Sequence, residues 1–459
     1  MVMYITREGD YMDFYELVLQ NKDLILNKTI ELLKFPSVLK EFNPDNEFPF
    51  GKDIQDSLEF MLDLAKDDGF ITKNVNNYAA HIEYGKGKEI LGVLCHLDVV
   101  PTGKGWTHGP FNPVVRDGKL YARGSQDDKG PTMAAYFALK LLKESGFMPN
   151  KRIRIILGTD EETAWRGIAE YFKTEEMPEI GFAPDACFPL IYAEKGILSF
   201  VITGKTLDTK LLTFNSGERL NVVPDKATCT LSIDLQSEFK SFLSYNGFKG
   251  EYKNGKYIVY GKRAHAMQPS LGLNAAFVLA TFLNENIEND FIKYIIEYLA
   301  FDHLGDKLNI NYFDNEMKDF TMNPGVFKYS KKTFKIGVNC RYPIGWDKDS
   351  AFINLNASVI KYHFKYKVNS DMPVHYVSKD DDLVKTLHDA YIKYTGDTET
   401  KLMTIGGGTY SRALSKAVAF GPAMPGREDV AHQVDEHIYV EDLLKGTAIY
   451  MEAIYQLTK

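Results

Sequence analysis

Apolar and polar positions along the chain follow two patterns, with a change near residue 194. From about residue 11 to 34, Phe14, Leu17, Val18, Ile25, Leu26, Ile30 and Leu33 recur at helical spacing, and Pro36 follows as a stop. Residues 53–68 carry Ile54, Leu58, Met61, Leu62 and Leu64 and close on Gly69, the pattern of a second amphipathic helix. Strands are predicted near 79–84 and 89–95, split by the turn-forming Gly85-Lys86-Gly87. The run from Ile90 to Cys95 is nearly all apolar, as a strand buried on both faces of a parallel sheet would be. A helix over 131–145 starts on Pro131 and stops at Gly146, and an apolar strand follows over 152–157. Strands alternating with helices predict an α/β layer architecture.

Beyond residue 194 the periods shorten. Alternating segments at 198–203, 227–234, 256–260 and 333–340 accompany helical stretches near 274–285 and 288–300, which predicts an inserted α+β unit with its own sheet. The α/β pattern then resumes with a helix over 383–394, the turn Gly406-Gly407-Gly408, a strand over 417–420 and a helix over 440–455. The chain has 459 residues, more than one hydrophobic core usually serves. The expected division is a discontinuous domain of 1–194 and 376–459, interrupted by a second domain of 195–375.

Composition narrows the function classes. Hydrophobic residues make up 44% and charged ones 25%, ordinary for a soluble globular protein. The formal charge of −8 argues against a nucleic-acid binder. No apolar run approaches a membrane span, and Asp10, Asp13 and Glu16 break up any signal-peptide pattern. Cys95, Cys187, Cys229 and Cys340 lie far apart, which suits free thiols in a reducing compartment. A cytoplasmic protein is expected.

The candidate chemistry lies at the ends of the predicted strands. The apolar run ends on His96-Leu97-Asp98, two good ligand types for a divalent metal, although the same pair could cap a turn. Asp127-Asp128-Lys129 precedes a helix, Glu161-Glu162 follows a strand, Asp185 stands in Phe182-Ala183-Pro184-Asp185, and His432 precedes the last helix. Each has a dull reading as a cap, a solvated turn or a structural histidine. Their joint placement at the carboxyl edge of one sheet is where ligands collect in open α/β folds.

These segments carry a resemblance. With Gly105-Trp106, Ala122-Arg123-Gly124-Ser125-Gln126, Gly158-Thr159-Asp160 and Pro425-Gly426-Arg427-Glu428-Asp429, they resemble in order the two-metal amidohydrolases that include carnosinase-type dipeptidases, aminoacylases and desuccinylases. The likeness is greatest to the PepV-type bacterial dipeptidases. It implies a zinc-exopeptidase-like catalytic domain, with a mostly parallel sheet flanked by helices, and an inserted lid domain. It further implies five ligands: His96 and Asp185 on one metal, Glu162 and His432 on the other, and Asp127 bridging both. Asp127 is chosen over Asp128 because the bridging carboxylate of the family stands two places before the lysine. The donor set suits two zinc ions, with manganese or cobalt as alternatives.

By the same resemblance, Asp98 would accept the second N–H of the His96 ring and Glu161 would be the general base. Asn221 and His265 would polarise the scissile carbonyl and stabilise its oxyanion. Arg341 would bind the free carboxylate of the substrate, and the turn ending in Thr409 could offer N–H groups and a hydroxyl to it. The implied activity is metal-dependent hydrolysis of dipeptides or short peptides. The alternatives are an N-acyl-amino-acid or succinyl-diamino-acid amidohydrolase, and a non-catalytic metal- or peptide-binding relative. An insertion of this length resembles the enlarged lid of monomeric relatives, so a monomer is expected.

Overall fold

The computed structural model describes residues 4–5 and 11–459, so Asp10 lies outside the described residues. Internal contacts divide the chain into two units, one of residues 1–192, 377–403 and 409–459 and the other of 193–376 and 404–408. Residues 404–408 join the second unit because the Lys195 N–H donates to Ile405 O (2.9 Å) and Arg341 Nη1 donates to Gly406 O (2.9 Å).

The first unit is built on strands β1 (Ile71–Val75), β2 (Ala79–Tyr84), β3 (Ile90–His96), β4 (Arg152–Gly158), β5 (Ile180–Ala183), β6 (Ile191–Glu194) and β7 (Ala417–Ala419). Their spatial order is β6-β7-β5-β3-β4-β2-β1. The four middle strands β7, β5, β3 and β4 are parallel, and the pairs outside them are antiparallel. Every residue of β3 is buried, as its unbroken apolar run predicts. On one face Leu94, Ile156 and Ala183 pack with Ile168, Tyr171, Tyr410 and Leu414. Helices α4 (Lys129–Glu144) and α6 (Val440–Thr458) pack on each other and against the central strands, and α5 (Asp382–Thr395) packs on α6.

The helix expected over 11–34 is two helices, α1 (Phe14–Gln20) and α2 (Lys22–Leu33), followed by α3 (Lys52–Asp67). Asn21 breaks it: the side-chain amide donates to Leu17 O (2.9 Å) and the N–H of Asn21 bonds Val18 O (3.1 Å). Such local bonding is how asparagine competes with a continuing helix. Residues 11–12 pair as a short strand with residues 4–5.

The second unit carries an eight-stranded antiparallel sheet in the order 249–253, 256–260, 226–231, 211–216, 321–330, 333–342, 196–205, 365–372. The helices Ala275–Asn286 and Asp290–Tyr298 form its core with Phe277, Phe282, Phe291 and Ile295. Two further helices, Gln236–Asn246 and Lys348–Lys361, were not anticipated, because their apolar stripes are short. All four cysteines are free thiols, and no helix among the described residues is long and apolar enough to cross a membrane.

His81 in β2 is buried with its Nδ1 against Tyr171 Oη (2.7 Å). Burial and the Arg154 guanidinium push its pKa down to about 4. The unfolded chain, with an imidazole near 6.5, therefore binds more protons between about pH 6.5 and 4. Stability is expected to fall as pH drops through that window, by up to about 1.4 kcal/mol per pH unit from this group. Denaturant titrations at stepped pH check this, and His81→Gln should flatten the slope.

Candidate metal centre

Six side chains converge at the carboxyl ends of the parallel strands. His96 is the last residue of β3 and is fully buried. Glu161 and Glu162 stand in the turn after β4, Asp185 follows β5, Asp127 closes the loop before α4, and His432 lies in the loop ahead of α6. His96 Nε2 is 3.0 Å from Asp127 Oδ1 and 3.8 Å from Asp185 Oδ1. His432 Nε2 is 2.9 Å from Asp127 Oδ2 and 3.1 Å from Glu162. Asp127 thus turns one oxygen to each imidazole. Two ligand groups result, His96–Glu161–Asp185 and Asp127–Glu162–His432, each with its donor atoms within 4.8 Å of one another.

The supporting bonds differ from expectation at Asp98. His96 Nδ1 meets the main-chain oxygen of Asp98 (2.9 Å), while the Asp98 carboxylate stands farther off at 3.6 Å. That carboxylate instead accepts the N–H groups of Glu161 and Glu162, at 3.1 Å each. The main-chain oxygen of Asp98 thus serves the ring, and its side chain holds the neighbouring turn. Asp98 therefore orients the histidine through its backbone and the glutamate pair through its side chain.

Two buried carboxylates escaped sequence reasoning. Asp128 Oδ2 accepts the His96 N–H (3.1 Å) and the Thr132 hydroxyl (3.2 Å). Glu436 Oε1 accepts the N–H groups of Gly124 (3.0 Å), Gln126 (2.9 Å) and Asp127 (3.2 Å), and its Oε2 pairs with Arg123. Nothing in Val434-Asp435-Glu436-His437 distinguishes Glu436 from a solvated acid in a turn. At the end of β4, an added Cβ on Gly158 would lie 2.0 Å from Tyr410 Oη, so glycine there admits the ring that packs edge-on to His96.

The electrostatics of the cluster are those of crowded like charges. Burial, then the charge of Asp185, raises Glu161 well above the usual carboxylate range. Burial also raises Glu162 and Asp185. Asp127 goes the other way: burial opposes ionisation, but His432 and His96 hold it well below the usual range. Hydrogen bonds to Asp127 and Glu162 push His432 up to about 11. Four carboxylates against two imidazoles leave an excess of negative charge that divalent cations would relieve. The donors are nitrogen and oxygen only, and they fit such ions. Trp165 Nε1 donates to Glu161 Oε1 (3.2 Å) and holds that carboxylate within the first group.

The remaining candidates belong to the second unit, apart from Thr409. His265 Nδ1 accepts the Met267 N–H (3.3 Å), which assigns the proton to Nε2. Burial and the Arg341 charge lower its pKa, so the ring stays neutral and Nε2 stays a donor. Asn221 is exposed, and its backbone oxygen accepts the Ala266 N–H (3.0 Å) beside His265. Arg341 is held by Asn339 Oδ1 (2.9 Å) and Gly406 O (2.9 Å), so the glycine turn offers a carbonyl to Arg341. Thr409 is buried in the first unit, with its hydroxyl 2.9 Å from that of Ser411.

Comparison with known proteins follows the same lines. The profile of peptidase family M20/M25/M40 matches residues 92–456. A Bacillus subtilis (strain 168) protein named "Putative dipeptidase YtjP" is 42% identical over 461 residues, 96% of this chain and 99% of that protein. A Staphylococcus epidermidis protein named in the same way is 42% identical over 464 residues, 96% of this chain and 98% of its own. In fold, the chain is similar to human carnosine dipeptidase 1, with TM-score 0.56 and 13% identity over 97% of this chain and 98% of that one. It is similar also to aminoacylhistidine dipeptidase from Vibrio alginolyticus, with TM-score 0.57 and 12% identity over 95% and 96% of the two chains.

Asp98→Asn would leave one of the two glutamate N–H groups facing an amide donor. Removing such an outer partner typically costs about 10- to 100-fold in metal affinity. Competition against a chelator should show a loss of about that size in Asp98→Asn, with the fold retained by circular dichroism.

Proposed function

We propose, from the premise that the chain belongs to peptidase family M20/M25/M40, that it hydrolyses dipeptides and short peptides bearing a free carboxylate. The observation that carries this reading is the pair of groups His96–Glu161–Asp185 and Asp127–Glu162–His432, with Asp127 turning one oxygen to each imidazole. Two divalent cations, zinc in the first instance, would be held by His96 and Asp185, by Glu162 and His432, and by Asp127 between them. When bound they would supply Lewis acidity and lower the pKa of the attacking water.

The protein's own groups then divide the work. Glu161 takes a proton from the attacking water and passes it to the leaving amine, a contribution worth about 10²- to 10⁴-fold. His265 Nε2 and Asn221 donate to the developing oxyanion, at about 10²- to 10³-fold for each donor. Arg341 receives the substrate carboxylate, its guanidinium already oriented by Asn339 and Gly406. The reaction belongs to the cytoplasm, in the recovery of amino acids, and the working form is a monomer.

Glu161→Gln is expected to keep both metals, by elemental analysis, and to lose dipeptide turnover by about 10²- to 10⁴-fold. Loss of one metal in that variant would make Glu161 a ligand, and near-normal turnover would remove it from the mechanism. Light scattering should return the mass of one subunit.

A further inference from the structure

We infer that a cavity of the first unit receives the amino-terminal residue of the substrate, an apolar side chain entering it and the free ammonium pairing with Asp429. The inference rests on the peptidase reading of the centre. The cavity encloses about 440 Å³ and begins at Asp127 and Asp185, so it opens directly from the ligand groups. Beyond them its walls are Cys187, Phe188, Met403, Pro422 and Met424. The two sulfurs of Cys187 and Met403 lie 3.9 Å apart. Soft, polarisable walls of this kind accept apolar side chains of varied shape and penalise buried charge.

Charge on the wall is sparse. Apart from the two centre carboxylates, the cavity is bordered by Arg427 and Asp429. Arg427 is already committed, with Nε and Nη2 on Asp442 (2.8 and 3.0 Å) and its guanidinium 3.8 Å over the Tyr439 ring. Asp429 is exposed, and Oδ1 accepts only the Ala431 N–H (3.2 Å); it has no ion-pair partner among the described residues. It is a carboxylate available to a ligand cation.

The geometry of a peptide matches this pairing. In the residue on the acyl side of the scissile bond, side chain and amino group share the Cα bonded to the reacting carbon. Both must therefore lie within a few bonds of the centre. A cavity that leaves the centre through apolar walls and presents one uncommitted carboxylate can satisfy both at once. An N-acyl-amino acid brings no cation on that side and would leave Asp429 unpaired, so the site selects free-amino peptides.

The test measures kcat/KM for Leu-Gly, Met-Gly, Asp-Gly, Lys-Gly and N-acetyl-leucine with the metal-loaded full chain, together with Met403→Lys and Asp429→Asn. Leu-Gly and Met-Gly should exceed Asp-Gly and Lys-Gly by at least about tenfold. Met403→Lys should shift preference towards Asp-Gly, a gain that misfolding cannot produce. Asp429→Asn should raise KM for Leu-Gly about tenfold or more with metal content intact. Equal use of the four peptides, an unchanged KM in Asp429→Asn, or preference for N-acetyl-leucine would each overturn the inference while leaving the hydrolase reading in place. Hydrolysis of none of these amides would overturn the reading on which it rests.

Discussion

Holding Asp127, Glu161, Glu162 and Asp185 within reach of one another is the constraint on which the first unit depends. Burial first, and the charge of neighbouring carboxylates after it, raises Glu161, Glu162 and Asp185 above their usual range. Only Asp127, between two imidazoles, is pulled the other way. A loop would relax such a cluster apart. Setting His96 at the end of β3, and Glu161, Glu162 and Asp185 just after β4 and β5, with β3 buried along its whole length, limits that freedom.

The sheet edge alone does not aim the side chains. That is done by a further set of buried carboxylates that bind peptide N–H groups. Asp98 holds the amides of Glu161 and Glu162, Asp128 holds the amide of His96, and Glu436 holds those of Gly124, Gln126 and Asp127. A hydrogen bond contributes about 0.5–1.5 kcal/mol net, and an unmade one in the interior costs about 1–3 kcal/mol. Main-chain donors carry no net charge, so these anchors fix position without neutralising the ligands. The positive charge that the ligand groups lack is left for divalent cations to supply.

How much of this was legible in the sequence follows from the range of each interaction. Period and composition are local, so β3, β4, α3, α4 and α6 could be read from apolar spacing with small errors at their ends. The break at Asn21 was missed because a bond from its side chain to Leu17 O leaves the apolar stripe intact. The candidate side chains were legible because His96, Asp127, Glu162, Asp185 and His432 stand at strand ends and loops in a recognisable order, and the structure brings them together. What Asp98 does was not, since a carbonyl and a carboxylate of one residue serve different neighbours. Glu436 was invisible for a related reason: its partners lie about 310 positions away, towards the amino terminus.

That separation has a consequence for how the centre comes into being. The first group draws on residues 96, 161 and 185, whereas the second needs His432 from beyond the 193–376 segment. The amides of Gly124, Gln126 and Asp127 are likewise bound by Glu436, which stands four residues before α6. Docking of α6 on α4 therefore brings His432 and the carboxylate that holds the Asp127 amide to the site together. Contacts of such sequence separation form late, because loop closure must precede the energy they return. A cation that favoured the complete set would stabilise that docking by its own binding free energy, which would link metal affinity to the packing of α6.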